Sequence, residues 1–404
     1  MDSGVPGSLV GERRGSGAEE DGGPMTHPLR SPRLSAILLL VAAGAGILLA
    51  NTPAADAAFA VQHVELGIPH TPFLLGVGDW IADGLLAVFF FTVAVELQFE
   101  LTSGQLRSAR NALLPAIAAA GGVAAPIVVY LAIAAPAGWG QGWPVPTATD
   151  IAFALGVLAV VGRGLPARVR VFLLALAILD DIIGIVFIAV LFAHGVNAGM
   201  LLLAFALVVA FGILSRVLGG RRDRLVVAIM IVVAFAAWGA MLASGVHATI
   251  AGVLLGLAVS QRPGMRAAHV LEPWVNGLIL PLFALSAALV TIPQTGSLTP
   301  VFWGIALALP VGKLIGITVT ALIAQKALRV APGDSIRFPD LLAAGALGGI
   351  GFTVSLLLAG LAFVGDPGMR DQAVLGVLGG SLIALALSVV VVSWRARVHR
   401  RQNA

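Results

Sequence analysis

The chain has no cysteine among its 404 residues, so it holds no disulfide and no thiolate metal centre. Histidine is sparse at seven, and no pair of them stands at zinc-ligand spacing. Charge is scarce as well. Asp, Glu, Lys and Arg make up 11% of the chain, where soluble domains carry about 25%. A net charge of +4 and an isoelectric point near 10.5 could suggest nucleic acid. The basic residues fall in short clusters between apolar runs rather than in one stripe, which argues against a nucleic-acid partner. What the chain has instead is hydrocarbon: 59% apolar residues, 49 glycines and a mean hydropathy of +1.00. Folding alone cannot hide that much apolar surface from water, and the lipid bilayer is the partner that can.

The pattern along the chain fits that partner. Residues 1–33 are rich in Gly, Ser and mixed charge, which predicts a disordered tail. Beyond it, apolar runs recur at close to the length of about 20 residues that a bilayer requires. They fall near 34–50, 80–99, 111–134, 147–161, 171–193, 199–218, 225–243, 247–260, 274–291, 301–323, 340–364 and 372–394. The composition predicts an all-α polytopic membrane protein of about twelve transmembrane helices. Residues 34–394 form a single membrane domain, and 395–404 a short basic tail. Alternate linkers test the parse. The linkers 51–79, 135–146, 194–198, 244–246 and 292–300 contain no Lys or Arg, and the opposite side collects 22 of the 24 basic residues. By the positive-inside rule both termini are then cytoplasmic.

Several ionisable residues stand where a membrane should exclude them. A charge mid-bilayer costs about 2.5–3.5 kcal/mol on insertion scales. Asp180 and Asp181 lie in ALAILDDIIGIVF, ten residues or more past Arg170 and so near the midplane. Lys313 sits halfway along the tenth run, Asp150 follows Thr147 and Thr149 in PVPTATDIAFALG, and Asp83 lies one turn inside the second run. A lone buried lysine tends to shed its proton and a lone buried carboxylate to gain one, so pairing relieves both. Neighbouring helical positions point about 100° apart. One of Asp180 and Asp181 is therefore expected to pair with Lys313, and the other to face water as a cation ligand.

Two runs look interrupted. The fourth opens on Trp143-Pro144-Val145-Pro146 and stays polar through Asp150, and the eleventh contains LGGIGFTVS. Being seven apart, they run in opposite directions. Inverted repeats over runs 3–5 and 10–12, with two interrupted helices crossing at mid-membrane, would build a midplane ion site. Asp150 could balance the helix N-termini there and Lys313 the C-termini.

At these residues the sequence resembles the NhaA family of sodium/proton antiporters. The resemblance rests on WIADGLLAVFFFTVAVELQFEL, PTATDIAFALGVLAVVG, FLLALAILDDIIGIV, SGVHATIAGVLLG, EPWVNGLILPLFA, GKLIGI and GGIGFTVS, in order across residues 34–394. It implies a secondary transporter, not an enzyme, that moves cytoplasmic Na⁺ or Li⁺ out against H⁺ electrogenically, with no cofactor. It implies a multi-pass protein of the bacterial inner membrane and a homodimer. It implies Asp181 as the main cation ligand with Asp180 and Thr149 beside it, Asp180 pairing with Lys313, Asp150 in charge balance, and Asp83 on the extracellular pathway. Relatives with a strong pH switch differ at Phe99, Ala268 and Glu272, which leaves Glu96 and His269 as the candidate pH-responsive pair.

Rival readings fit less well. A sodium-coupled importer of an organic solute calls for more polar or aromatic residues at the site, and an intramembrane aspartyl protease calls for GxGD, to which GIGF comes nearest. A membrane subunit of a larger redox machine differs in needing partners in order to act.

Overall fold

Fourteen helical segments were resolved in a computed structural model that describes residues 31–403 except 70, 72, 194, 219–222, 293–297 and 332–334. Residues 1–30 of the expected disordered tail lie outside the described residues. The first segment is α1 (Pro32–Ala50), with proline at its first position, where the missing N–H has no helical partner to lose. A short α2 (Ala55–Gln62) and a two-residue strand pair, Glu65–Leu66 with Leu75–Gly76, fill the next linker. These strands are a small exception in an otherwise all-α protein. Then come α3 (Val77–Thr102), α4 (Ala109–Ala134), α5 (Ile151–Val161), α6 (Ala167–Leu191), α7 (Ala198–Arg216) and α8 (Asp223–Ala243). The chain ends with α9 (Thr249–Ala258), α10 (Gln261–Ala287), α11 (Pro300–Ala327), α12 (Phe338–Gly348), α13 (Phe352–Ala362) and α14 (Pro367–Asn403).

Among the described residues nine helices are long and apolar enough to cross a bilayer, two more spans are bent pairs, and α9 is a shorter apolar helix. All twelve expected runs thus fall on helix. The bent pairs are Gly140–Thr147 with α5, at 41°, and α12 with α13, at 49°, which are the two runs marked as interrupted by proline and glycine. Two boundaries differ from expectation. Residues 261–273, read as a linker, form the first half of α10, because Arg, Met, Ala, Leu and Glu favour helix even when charged. The expected basic tail is helical, with α14 continuing as far as Asn403.

Three helices contain a wider π turn: Trp80–Leu85 in α3, Val275–Ile279 in α10 and Ala308–Gly312 in α11. Pro273 and Pro310 explain the last two, since each removes a backbone donor and the helix widens around the gap. Packing relies on small residues. A side chain on Gly312 would lie 2.7 Å from the Pro126 backbone, so α11 and α4 touch backbone to backbone just before Lys313.

Arg33 donates to the Ala159 carbonyl, Arg168 to the Ser335 carbonyl, and Gly164, at φ +111°, lies against the Arg400 side chain. Arg33 at the start of α1, Arg168 at the start of α6 and Arg400 near the end of α14 therefore gather at one end of the bundle.

Candidate cation and proton site

The two broken helices meet at their breaks. Asp150 has extended backbone (φ −93°, ψ 102°), and its N–H donates to the Ile350 carbonyl at 2.6 Å. One of its carboxylate oxygens accepts from the Phe153 N–H at 3.1 Å, and the other from the Thr353 N–H at 3.1 Å. A single buried side chain thus caps the N-termini of both α5 and α13, where unpaired N–H groups and two helix dipoles converge. Next to it the Thr149 hydroxyl donates to the Gly348 carbonyl at 2.8 Å, which satisfies the C-terminal end of α12. A Cβ on Gly351 would press to 2.7 Å from the Ala148 carbonyl, so the chains cross only because this residue has no side chain.

Lys313 enters from the first turn after the π turn of α11. Its ammonium donates to Thr149 Oγ1 at 2.9 Å and forms an ion pair with the Asp180 carboxylate. Lys313 is 0% exposed and Asp180 1%, so water screens neither charge. The chemistry of Thr149 fixes the direction of the chain. Its one proton goes to Gly348, leaving its lone pairs for Lys313.

Asp181 points elsewhere, as the helical rotation requires. It is buried, and among the described residues its Oδ1 has no hydrogen-bond partner; the same holds for Asp180 Oδ1. Its electrostatic neighbours are Asp180, Asp150, Lys313 and Glu96. Two carboxylates with unmet acceptor sites beside one ammonium form a place where a cation would find oxygen ligands already stripped of water. The described residues contain no group of three or more His, Cys, Asp or Glu that could hold a metal ion.

Asp180, Asp181, Thr149, Asp150 and Lys313 are therefore brought together from runs 4, 5 and 10; Glu96 borders that group through Asp181, and Asp83 and His269 lie outside it. The Asp83 carboxylate stands 3.2 Å from His247 Nδ1, and its backbone carbonyl accepts from the Trp238 indole at 2.9 Å. His247 also meets Thr249 Oγ1 at 3.1 Å. Glu96 interacts electrostatically with Glu272, His269 and Glu100, placing an acidic group with one histidine where α3 and α10 adjoin. Sequence reasoning missed the Gly348 carbonyl and the Asp83–His247 pair. No local pattern announces a contact 164 residues away in the chain.

Comparison with known proteins identifies the family. The family model described as Na⁺/H⁺ antiporter 1 matches residues 26–392. The Na⁺/H⁺ antiporter NhaA 2 of Clavibacter michiganensis is 54% identical, covering 94% of each chain. The Na⁺/H⁺ antiporter NhaA of Tropheryma whipplei is 46% identical over 90% of this chain and 94% of its own. That of Streptomyces avermitilis is 41% identical over 93% and 83%. A match spanning nearly every helix described above leaves one conclusion: the chain belongs to the Na⁺/H⁺ antiporter 1 family of multi-pass bacterial membrane proteins, and is a transporter rather than an enzyme.

Proposed function

We propose that this transporter exchanges Na⁺ for H⁺ at Asp180 and Asp181, which bind either ion but not both together. The observation that supports this most directly is the unbonded Asp181 oxygen beside an ion pair that already occupies Asp180. In the proton-loaded form Asp181 carries a proton and Lys313 holds Asp180. Na⁺ or Li⁺ arriving from the cytoplasm is coordinated by Asp181, Asp180 and Thr149 and displaces the proton of Asp181. Lys313, losing its carboxylate partner, releases a second proton. Two protons then move against one cation, so transport is electrogenic and responds to membrane voltage.

Asp150 balances the two helix N-termini it caps. Asp83, with His247, lies on the extracellular pathway, and Glu96 with His269 responds to cytoplasmic pH. The gathering of basic residues at one end supports cytoplasmic termini in the plasma membrane. The working unit is a homodimer embedded in lipid.

Reconstituted proteoliposomes carrying a pH dye test the reading. Added Na⁺ should drive proton movement through the wild type, and Asp181→Asn should abolish it while the protein elutes as a folded species. Full exchange by the Asp181→Asn variant would overturn the assignment.

A further inference from the structure

A second buried ionic cluster lies at the basic end of the bundle, away from the crossing. Asp340 stands in the first turn of α12 and is 3% exposed; Arg395 and His399, one turn apart on α14, are 5% and 9% exposed. One carboxylate oxygen of Asp340 accepts from Arg395 Nε at 2.9 Å and lies 2.9 Å from His399 Nε2. Arg395 Nη2 is 3.2 Å from the same histidine nitrogen. A single ring nitrogen cannot donate to Asp340 and accept from Arg395 at once, so the Arg395 bond is the constant one. Nearby basic side chains bond elsewhere: Arg337 reaches Gln402 at 3.4 Å and Arg168 the Ser335 carbonyl at 3.2 Å, while the Arg400 stem packs on Gly164.

The value of the cluster lies in what it is attached to. α12 has 11 residues and is about 16 Å long. Its far end is Gly348, whose carbonyl takes the Thr149 hydroxyl that in turn takes Lys313. Eight of its 11 residues are buried and a side chain on Gly345 would lie 3.0 Å from the Leu314 carbonyl, so the helix moves as one body and a shift at its outer end reaches Gly348. Surface ion pairs contribute little to stability, but this one is buried, and leaving either partner alone would strand a charge.

We propose that Asp340 and Arg395, supported by His399, are positioning residues for ion exchange: they clamp the outer end of α12 and thereby set the height of the Gly348 carbonyl, and through Thr149 the hold of Lys313 on Asp180. The proposal rests on the site reading given above. Loosening the clamp lets Thr149 and Lys313 shift, and the cation then competes for Asp180 on altered terms. A merely structural bond would instead lower the amount of folded protein and leave the surviving molecules unchanged.

The test is Na⁺-driven proton flux in proteoliposomes, normalised to folded protein, for Asp340→Asn, Arg395→Gln and the double variant, which leaves no lone charge. Half-saturating Na⁺ should move about fivefold in all three, a typical size for coupling through packed contacts. Asp340→Glu, which keeps the charge, should stay within about twofold of wild type. Should Asp340→Asn fail to reconstitute, Arg395→Lys and His399→Gln trim the donors without stranding the carboxylate and should show the same direction of shift. Unchanged half-saturation in the double variant, with only yield or maximal rate reduced, overturns the clamp. Asp181→Asn in the same preparation separates the two ideas, since exchange by that variant would overturn the site reading while leaving the clamp measurement to stand on its own.

Discussion

The two buried ionic clusters of this protein are built from the same chemistry and end in opposite conditions. At the crossing, one ammonium faces two carboxylates, and acceptor oxygens on both Asp180 and Asp181 stay unbonded. At the basic end, one carboxylate oxygen receives a guanidinium and lies against an imidazole. Burial makes an unmet acceptor expensive, and Asp180 and Asp181 each keep one beside an ammonium. On the proposed reading the cluster at the crossing receives an ion and the one at the basic end holds a helix.

The largest way to break that contrast is to remove the waiting oxygen. Asp181→Asn should reduce exchange to background, as read by dye-reported proton flux, with the fold intact because no bonded donor is stranded. Next is the ammonium. Lys313→Ala leaves Asp180 buried and alone, and losing one partner of a buried pair costs about 3–5 kcal/mol. The thermal unfolding midpoint in detergent should fall clearly, and Lys313→Ala combined with Asp180→Asn should recover most of it without recovering exchange. Smaller is the effect of Asp150→Ala, which uncaps two helices at about 0.5–2 kcal/mol each. Its midpoint should fall by less than that of Lys313→Ala, and an equal or larger fall would show that the crossing depends more on capping than on the ion pair. Smallest is Asp83→Asn. The pair with His247 is partly exposed and distant from the crossing, so half-saturating Na⁺ should change by about threefold or less, in the range of weak surface pairs.

Much of this was legible in the sequence, for identifiable reasons. Charges in apolar runs are rare enough that Asp180, Asp181, Lys313 and Asp150 declared themselves one at a time. Proline before Thr147 and the glycines at 348, 349 and 351 marked both breaks, and the meeting of those breaks followed from their opposite directions. The start of α10 was not legible, because Arg262, Arg266 and Glu272 look like linker charges although they sit comfortably on a helix end. Nor was the Asp340–Arg395–His399 cluster. Its members stand at the margins of their runs, where a charge is ordinary, and only packing reveals that these three are buried. Helical rotation separates Asp180 from Asp181 without ranking them, so the residues by themselves left the partner of Lys313 open, and only the family resemblance implied Asp180.

Proton release on Na⁺ binding measures the competition most directly. Purified protein in weakly buffered detergent solution is titrated with Na⁺ while pH is recorded. If the ions exclude one another at Asp180 and Asp181, Na⁺ releases protons, and half-saturating Na⁺ rises about tenfold per unit fall in pH for each proton displaced. Asp181→Asn should release none. Na⁺ that binds the wild type tightly, with no proton released and no dependence on pH, would contradict it.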